Sequence, residues 1–383
     1  LSSESLADLL RQPEHPEPGF DPRTEFDGTS GFIQTRGLPA PPTNYDDLLR
    51  EFGYDPKDVR VLGGSVKQTR WQQRARTAGG DFETVWLTAY RFTIVPASTV
   101  GIDDILRLIK RRRALAVPPS DDGSTFRFLA GDLQLGKIDG DGTAGTVDTL
   151  LESVDVAVKR LKELRRTRSI GRTHVAWLGD CGEGNQSQGG GNMWRTELTV
   201  TEQYRLFRRL MLHTLDAFRP YGEVSMDVVN GNHDDVQRFV RTRPDDGHAT
   251  EAAISLSDAL ELNPATYSGC RIYVPSKDEP YLTRELGGSI HTSAHGHQWR
   301  RGKSWEWWAG QALNMHAPGA SHFLFHGHEH ELNVRSIKER TIICVPSFES
   351  ESSYWRHGHG TVGRRGAVIM TTEGGTYRDF EVV

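Results

Sequence analysis

Five short stretches of this chain set acidic, amide and imidazole side chains beside glycine. They are Gly131-Asp132-Leu133-Gln134, Gly179-Asp180-Cys181-Gly182-Glu183, Gly231-Asn232-His233-Asp234-Asp235, His295-Gly296-His297 and His326-Gly327-His328-Glu329-His330. Carboxylate and amide oxygens with imidazole nitrogens are the donors that hold divalent cations such as Mn²⁺, Fe²⁺ and Zn²⁺. The distribution of histidine points the same way. Eight of the 15 histidines (His291, His295, His297, His316, His322, His326, His328 and His330) fall within one 40-residue stretch, and imidazole is the commonest metal ligand. Each stretch alone has an ordinary reading. A lone Gly-Asp after a strand suits a helix N-cap, Asn232 suits a left-handed turn, and alternating His326, His328 and His330 suit one face of an edge strand. For the ordered set of five, all those ordinary readings would have to coincide.

Each stretch follows a short apolar run. Residues 126–130, 174–178, 225–230, 289–294 and 323–325 read as strands, with a further strand at 340–345. Val147, Leu150, Leu151, Val154, Val158, Leu161 and Leu164 recur at helical spacing, and residues 201–218 form a second helix carrying Leu206, Leu210, Leu212 and Leu215. Strand–helix–strand order with short apolar strands predicts an α/β sheet covered on both faces. In such sheets ligands bind beyond the carboxyl ends of the strands, where glycine lets the backbone turn sharply.

The formal net charge is −5, so no global basic character points to nucleic acid, and any such site must be a local patch. Cys181, Cys270 and Cys344 are far apart and odd in number, which argues against a disulfide scaffold and a CxxC zinc site. No apolar run approaches 18 residues, so no membrane span is expected. No basic segment followed by an apolar stretch opens the chain, and a cytoplasmic location is expected. Residues 1–44 carry seven prolines (Pro13, Pro16, Pro18, Pro22, Pro39, Pro41, Pro42) and read as an extended arm. Residues 45–118 read as a small α+β module. It has a helix at 45–52, strands at 66–76 and 82–95 with Trp71, Trp86 and Tyr90 as a mini-core, and a basic linker helix at 102–113. Two look-alikes fail. Residues 131–137 fit the GxxxxGK half of a phosphate loop, but Ile138 stands where Ser or Thr should hold Mg²⁺. Asp139-x-Asp141 lacks the turn glycine and bidentate glutamate of an EF-hand, with Ala144 and Leu150 there instead.

The ordered set resembles the calcineurin-like metallophosphoesterases, whose pattern is D-x-H, G-D-x-x-(D/E/N), G-N-H-(D/E), H-G and G-H-x-H. The resemblance covers residues 125–383. Its most specific parts are Gly231-Asn-His-Asp234 and Gly327-His-Glu-His330, and the branch it brings nearest is that of the double-strand-break-repair nucleases. It implies a two-sheet α/β sandwich flanked by helices, with a dinuclear metal centre at the strand ends. One metal would take Asp132, Gln134, Asp180 and His330; the other would take Asp180, Asn232, His295 and His328, with Asp180 bridging. His233 would face the substrate, Asp234 would orient it, and Cys181 would be packing. The implied cofactors are two divalent ions, Mn²⁺ first, with Fe²⁺, Zn²⁺ and Mg²⁺ as alternatives. Two such ions about 3.5–4 Å apart neutralise a phosphodiester and lower the pKa of a water between them. Gln134 departs from the family histidine. A similar D-x-Q occurs in the manganese-dependent ADP-ribose/CDP-alcohol diphosphatase branch, so the change is expected to favour Mn²⁺ and weaken one site rather than abolish activity.

These motifs set the reaction and leave the substrate open. Trp299, Trp305, Trp307 and Trp308 interleave with Arg300, Arg301 and Lys303. That pattern suits stacking on single-stranded nucleic acid, or equally a packed helix with a solvated basic face. Arg238, Arg241 and Arg243 could contact phosphates or pair with Asp245 and Asp246. Arg70, Arg74 and Arg76 could give the N-terminal module a DNA-reading role, or it could serve structure or oligomerisation. The leading expectation is a two-metal phosphodiesterase on nucleic acid, exo- or endonuclease-like, with substrate contacts at Arg238, Arg300, Arg301 and Trp305. The alternatives are a manganese-dependent small-nucleotide diphosphatase or phosphodiesterase, and a non-catalytic metal-bound binding protein. A homodimer is left open.

Overall fold

The computed structural model describes residues 22–28, 31–38, 41–61, 66–76, 82–97, 123–185, 196–236, 242–360 and 362–383, together with Ile102 and Leu106. The chain divides into two compact units, Leu1–Gly101 and Ile102–Val383. Residues 1–21 of the expected arm, nearly all of the basic linker helix and the linker at 118–122 lie outside the described residues.

In the first unit, β1 (Arg23–Phe26) and β2 (Gly31–Gln34) form a hairpin within the segment expected to be an extended arm. The reason is burial: Ile33 is fully inside, and β2 pairs with β5. Next come α1 (Tyr45–Glu51), β3 (Val59–Val61), β4 (Lys67–Arg76) and β5 (Phe82–Pro96). Asn44 caps α1 by accepting from the backbone N–H groups of Asp46 and Asp47. Four strands run in the order β1-β2-β5-β3, with β4 also paired to β5. The core is Ile33, Leu48, Leu49, Val59, Tyr90, Phe92 and Ile94. Of the expected mini-core only Tyr90 is buried there. Trp86 is 47% exposed, with the Arg70 guanidinium 4.4 Å from its ring centre.

The second unit opens with β6 (Thr125–Ala130), α2 (Gly142–Leu164), β7 (Arg172–Leu178), α3 (Val200–Phe218), β8 (Glu223–Val229), α4 (His248–Glu261), α5 (Pro264–Tyr267) and β9 (Cys270–Tyr273). β10 (Tyr281–Leu286), β11 (Ser289–Ala294), α6 (Ser304–Leu313), β12 (Phe323–His326), β13 (Asn333–Ile337) and β14 (Arg340–Cys344) follow. The chain closes with α7 (Ser353–His359), β15 (Val368–Glu373) and β16 (Thr376–Val382). One sheet has the order β16-β15-β6-β7-β8-β9, the other β10-β11-β12-β14-β13. Strands β6 to β9 run parallel, with β9 at one edge and the antiparallel β15 and β16 at the other; β11, β12 and β14 are parallel, flanked by antiparallel β10 and β13. Leu129, Ala176, Leu178, Val368 and Met370 of the first sheet pack on Phe323, Phe325 and Ile343 of the second. Helices cover the outer faces. Phe218 of α3 meets Phe126 and Phe128, Phe207 meets Trp177, and Trp308 of α6 packs on Ala294, Leu324 and Ile342. Thr199 and Glu202 form a reciprocal capping box at the start of α3. Among the described residues no helix is long and apolar enough to cross a membrane.

Candidate metal centre

Parallel strands deliver their carboxyl ends to one rim, and the five polar stretches sit there. Asp132 and Gln134 follow β6, Asp180 follows β7, Asn232 follows β8, His295 follows β11, and His328 and His330 follow β12. His328 and His330 therefore lie beyond the end of a central strand, not along an edge strand. Adjacent strand ends are stitched together: His233 N–H donates to Asp180 Oδ1 (2.8 Å) and His328 N–H to Asp132 Oδ2 (2.8 Å). The turns need glycine for space. A Cβ on Gly231 would collide with Asp180 Oδ1, and one on Gly327 with Asp132 Oδ2. Asp132, Gln134, Asp180, His328 and His330 all have φ between 43° and 71°, and they are five of the nine described non-glycine residues with positive φ. Such conformations cost about 1–3 kcal/mol each and cluster at functional sites.

The lone pairs at this rim fit a cation. His295 Nδ1 donates to Leu178 O (2.7 Å), which leaves Nε2 as the free lone pair, 3.1 Å from Asp180 Oδ2. His330 Nδ1 donates to Glu349 Oε1 (2.6 Å), and its Nε2 lies 3.3 Å from Asp132 Oδ1. A nitrogen and a carboxylate oxygen held that close repel unless a proton or a cation lies between them. Asp132 Oδ1, Asn232 Oδ1 and His295 Nε2 are buried without a hydrogen-bond partner among the described residues, an arrangement that native proteins avoid away from ligand sites. Ligand atoms of Asp180, His295 and His328 lie within 4.8 Å of one another. Burial opposes protonation of His295 and His330, but the Asp180 carboxylate, and Asp132 with Glu349, outweigh it and raise both to about 9. A bound divalent ion would supply that positive charge in place of the protons. His328 is lowered to about 4 by burial and by His295, so it is a neutral ligand-competent imidazole.

Around this set the side chains divide in a way the motifs do not show. His233 Nδ1 faces Glu183, 3.3 Å from Oε2 and 3.1 Å from the backbone oxygen. Burial opposes its protonation, but Asp180 and Glu183 raise it to about 10. The Asp234 carboxylate, expected to orient His233, accepts instead from Tyr204 Oη (2.6 Å), Gly231 N–H (2.7 Å), Cys181 N–H (3.1 Å) and Gly182 N–H (3.3 Å). Gln134 Oε1 accepts from Lys137 Nζ (2.9 Å), and its amide nitrogen lies 3.4 Å from His233 Nε2. Lys137 also donates to Glu349 Oε2 (2.6 Å) and Ser352 Oγ (3.1 Å). Cys181 is buried, and burial beside Asp234 holds its thiol well above the usual range.

The expected substrate contacts are more scattered. Arg238 and Arg241 lie outside the described residues. Arg243 pairs with Asp245 and Asp278. Trp299 and Trp308 are buried, and Trp308 Nε1 donates to Pro318 O. Trp305 is half-buried, stacked edge-on against Trp308 with Arg335 over it. Arg300 is exposed; Arg301 pairs with Glu331 and lies 5.0 Å from the Trp355 ring, which in turn lies 5.3 Å from the His330 ring. A second group with ligand-like spacing, His174, Asp227 and His291, is fully buried between the sheets. There Asp227 accepts from Arg284, His291 and Ser293, and Arg127 abuts His291. The Arg284 and Arg127 guanidinium groups already supply positive charge to Asp227 and its surroundings, although Arg127 Nη2 and His174 Nε2 have no hydrogen-bond partner among the described residues.

No protein-family model matches the chain, and no curated protein matches it. Solved structures match at low similarity. A predicted phosphoesterase from Streptococcus pneumoniae is 10% identical, over 66% of this chain and 84% of that one, with a TM-score of 0.29. A zinc-complexed Vps29 from Entamoeba histolytica is 13% identical, over 67% and 98%, with a TM-score of 0.30. An archaeal phosphodiesterase is 13% identical, over 67% and 99%, with a TM-score of 0.31. At these values the likeness carries no weight for activity or partners.

Proposed function

We propose that this chain is a divalent-metal-dependent phosphodiester hydrolase of the calcineurin-like metallophosphoesterase superfamily, acting on nucleic acid. The observation that supports it most is the convergence of Asp132, Asp180, Asn232, His295, His328 and His330 at one rim, with buried Asp132, Asn232 and His295 atoms that no described residue satisfies. Asp132 and His330 would hold one ion and Asn232, His295 and His328 the other, with Asp180 between them. Divalent ions, Mn²⁺ first among them, would neutralise the phosphodiester and activate water. His233 supplies the proton to the departing oxygen. Its Nδ1 is anchored by Glu183 and its Nε2 is turned toward Asp180 and Gln134. Glu183 is then the orienting carboxylate, and Asp234 braces the loops that carry Asp180 and Asn232.

The nucleic-acid class rests on exposed cations: Arg300, Arg301 beside the Trp355 ring next to His330, and Arg70 stacked on exposed Trp86 in the first unit. One observation favours a smaller substrate: Trp299 and Trp308 are inside, leaving little aromatic surface for successive bases. Mn²⁺-dependent turnover of bis-p-nitrophenyl phosphate by wild type and variants tests the reaction. His233→Ala is expected to lower kcat by about 10²–10⁴-fold, the range for a general acid, and Asp180→Asn and Asn232→Ala to lose turnover. Unchanged rates in all three with Mn²⁺ bound would remove this centre from the chemistry.

A further inference from the structure

Lys137 brings an ammonium group into this centre, and the expected ligand sets do not account for it. Its ammonium contacts the Gln134 amide oxygen (2.9 Å), Glu349 Oε2 (2.6 Å) and Ser352 Oγ (3.1 Å), with Asp139 at 3.7 Å. Its side chain is 10% exposed, so these contacts are shielded from water. The backbone fixes it there: Lys137 N–H donates to Gln134 O in a tight turn through Gly136, whose φ is 99°. Glu349 ties the lysine to the first half-site, since its other oxygen accepts from His330 Nδ1 (2.6 Å).

The two half-sites therefore differ. The Asp180–Asn232–His295–His328 half has its compact triad and free Asn232 and His295 donor atoms. In the Asp132–Gln134–His330 half, Asp132 Oδ1 also has no partner among the described residues, but the Gln134 oxygen accepts from an ammonium. A divalent ion bound to that oxygen at about 2.1 Å would stand within about 5 Å of the ammonium, and the two would repel. Glu349 offsets part of that charge, but it is shared with His330. We propose that Lys137 acts as a resident cation in the first half-site. The centre then holds one divalent ion tightly, on Asp180, Asn232, His295 and His328, and a second only weakly. The Gln134 side chain serves to position Lys137 and His233 and is not a primary ligand. Neutralising Lys137 frees the amide oxygen and opens the second site. This rests on the metal-centre reading above.

The test is Mn²⁺ binding by the full chain, by titration calorimetry and by metal analysis after gel filtration, with no substrate present. Wild type is expected to retain one ion per chain, with a second at least about tenfold weaker. Lys137→Met should tighten the second ion by about 10–100-fold, the usual scale for groups just outside a ligand set. Lys137→Arg, which keeps the charge, should behave as wild type. Two ions of equal affinity in wild type would overturn the inference and leave the hydrolase reading standing. A second site unchanged in folded Lys137→Met, as judged by circular dichroism, would do the same. No bound ion at all would overturn both. The wild-type stoichiometry decides even if Lys137→Met fails to fold.

Discussion

His233 and Asp234 are neighbours with separate contacts, and substitutions can separate the roles proposed for them. His233 touches Glu183 and the rim, whereas the Asp234 carboxylate accepts from four donors, three loop N–H groups and Tyr204 Oη. Glu183→Gln is expected to lower kcat by about 10–100-fold, by analogy with other orienting carboxylates, with Mn²⁺ affinity kept. Asp234→Ala should act on stability instead. It strands several buried donors at about 1–3 kcal/mol each, so the urea midpoint should drop by an amount equivalent to about 3 kcal/mol or more. Loss of kcat without loss of stability in Asp234→Ala would reverse these assignments. The proposed metal-facing residues are legible in the sequence because each sits one to five places after an apolar run. Glu183 was visible as the last letter of one motif, with nothing to say that it reaches His233. Glu349 and Lys137 had no such signal. Glu349 follows β14 outside every motif, and Lys137 looked like a fragment of a phosphate loop. Only folding the 134–137 turn against residues 349–352 gives them a place in the centre.

The inner strands were easy to read because parallel strands buried on both faces are continuous apolar runs. β6 and β12 are buried at every position. β13 is exposed along its whole length and pairs only at an edge, so no pattern announces it. β10 and α4 escaped for related reasons: β10 is an edge strand of mixed burial, and α4 has alanine where stronger apolar signals would stand. In α6 Trp308 is buried whereas Trp305 is half-buried. Trp308 is core, so Trp308→Ala should destabilise by about 3–5 kcal/mol, whereas Arg300→Ala should leave stability unchanged. Between the sheets, the Asp227 network makes a pH prediction. Burial lowers His174 to about 4 and His291 to about 3, although Asp227 opposes both shifts. Unfolding returns them toward 6.5, so the unfolded chain binds more protons between about pH 4 and pH 6.5. Their stabilisation is fully present above pH 6.5 and is lost as pH falls toward 4, at about 1.4 kcal/mol per unit for each histidine. Urea midpoints should fall from pH 7 to pH 4.5, with a shallower slope in His291→Asn. A midpoint flat across that window contradicts the account.

For the whole molecule, a net charge of −5 means that the proposed affinity for nucleic acid would have to come from bound metals and a few exposed arginines. Binding should therefore show a modest salt slope, since each neutralised phosphate contributes about −0.7 to −0.9 to it. Divalent ions that bind only the folded chain should stabilise it, by about 2.7 kcal/mol at one hundred times the dissociation constant, so chelation should lower Tm. The central claim is hydrolysis of a phosphodiester at this centre, and one panel tests it most directly. Metal-free protein is reloaded with Mn²⁺, Zn²⁺, Fe²⁺ or Mg²⁺ and offered a monoester, bis-p-nitrophenyl phosphate, a dinucleotide, a nucleoside diphosphate ester, single-stranded DNA and duplex DNA. The account predicts Mn²⁺-dependent cleavage of the diesters, DNA among them, abolished in Asp180→Asn. Cleavage of the small diesters or diphosphate alone would replace nucleic acid with a nucleotide substrate. Firmly bound metal with no turnover of any member would contradict the hydrolase itself.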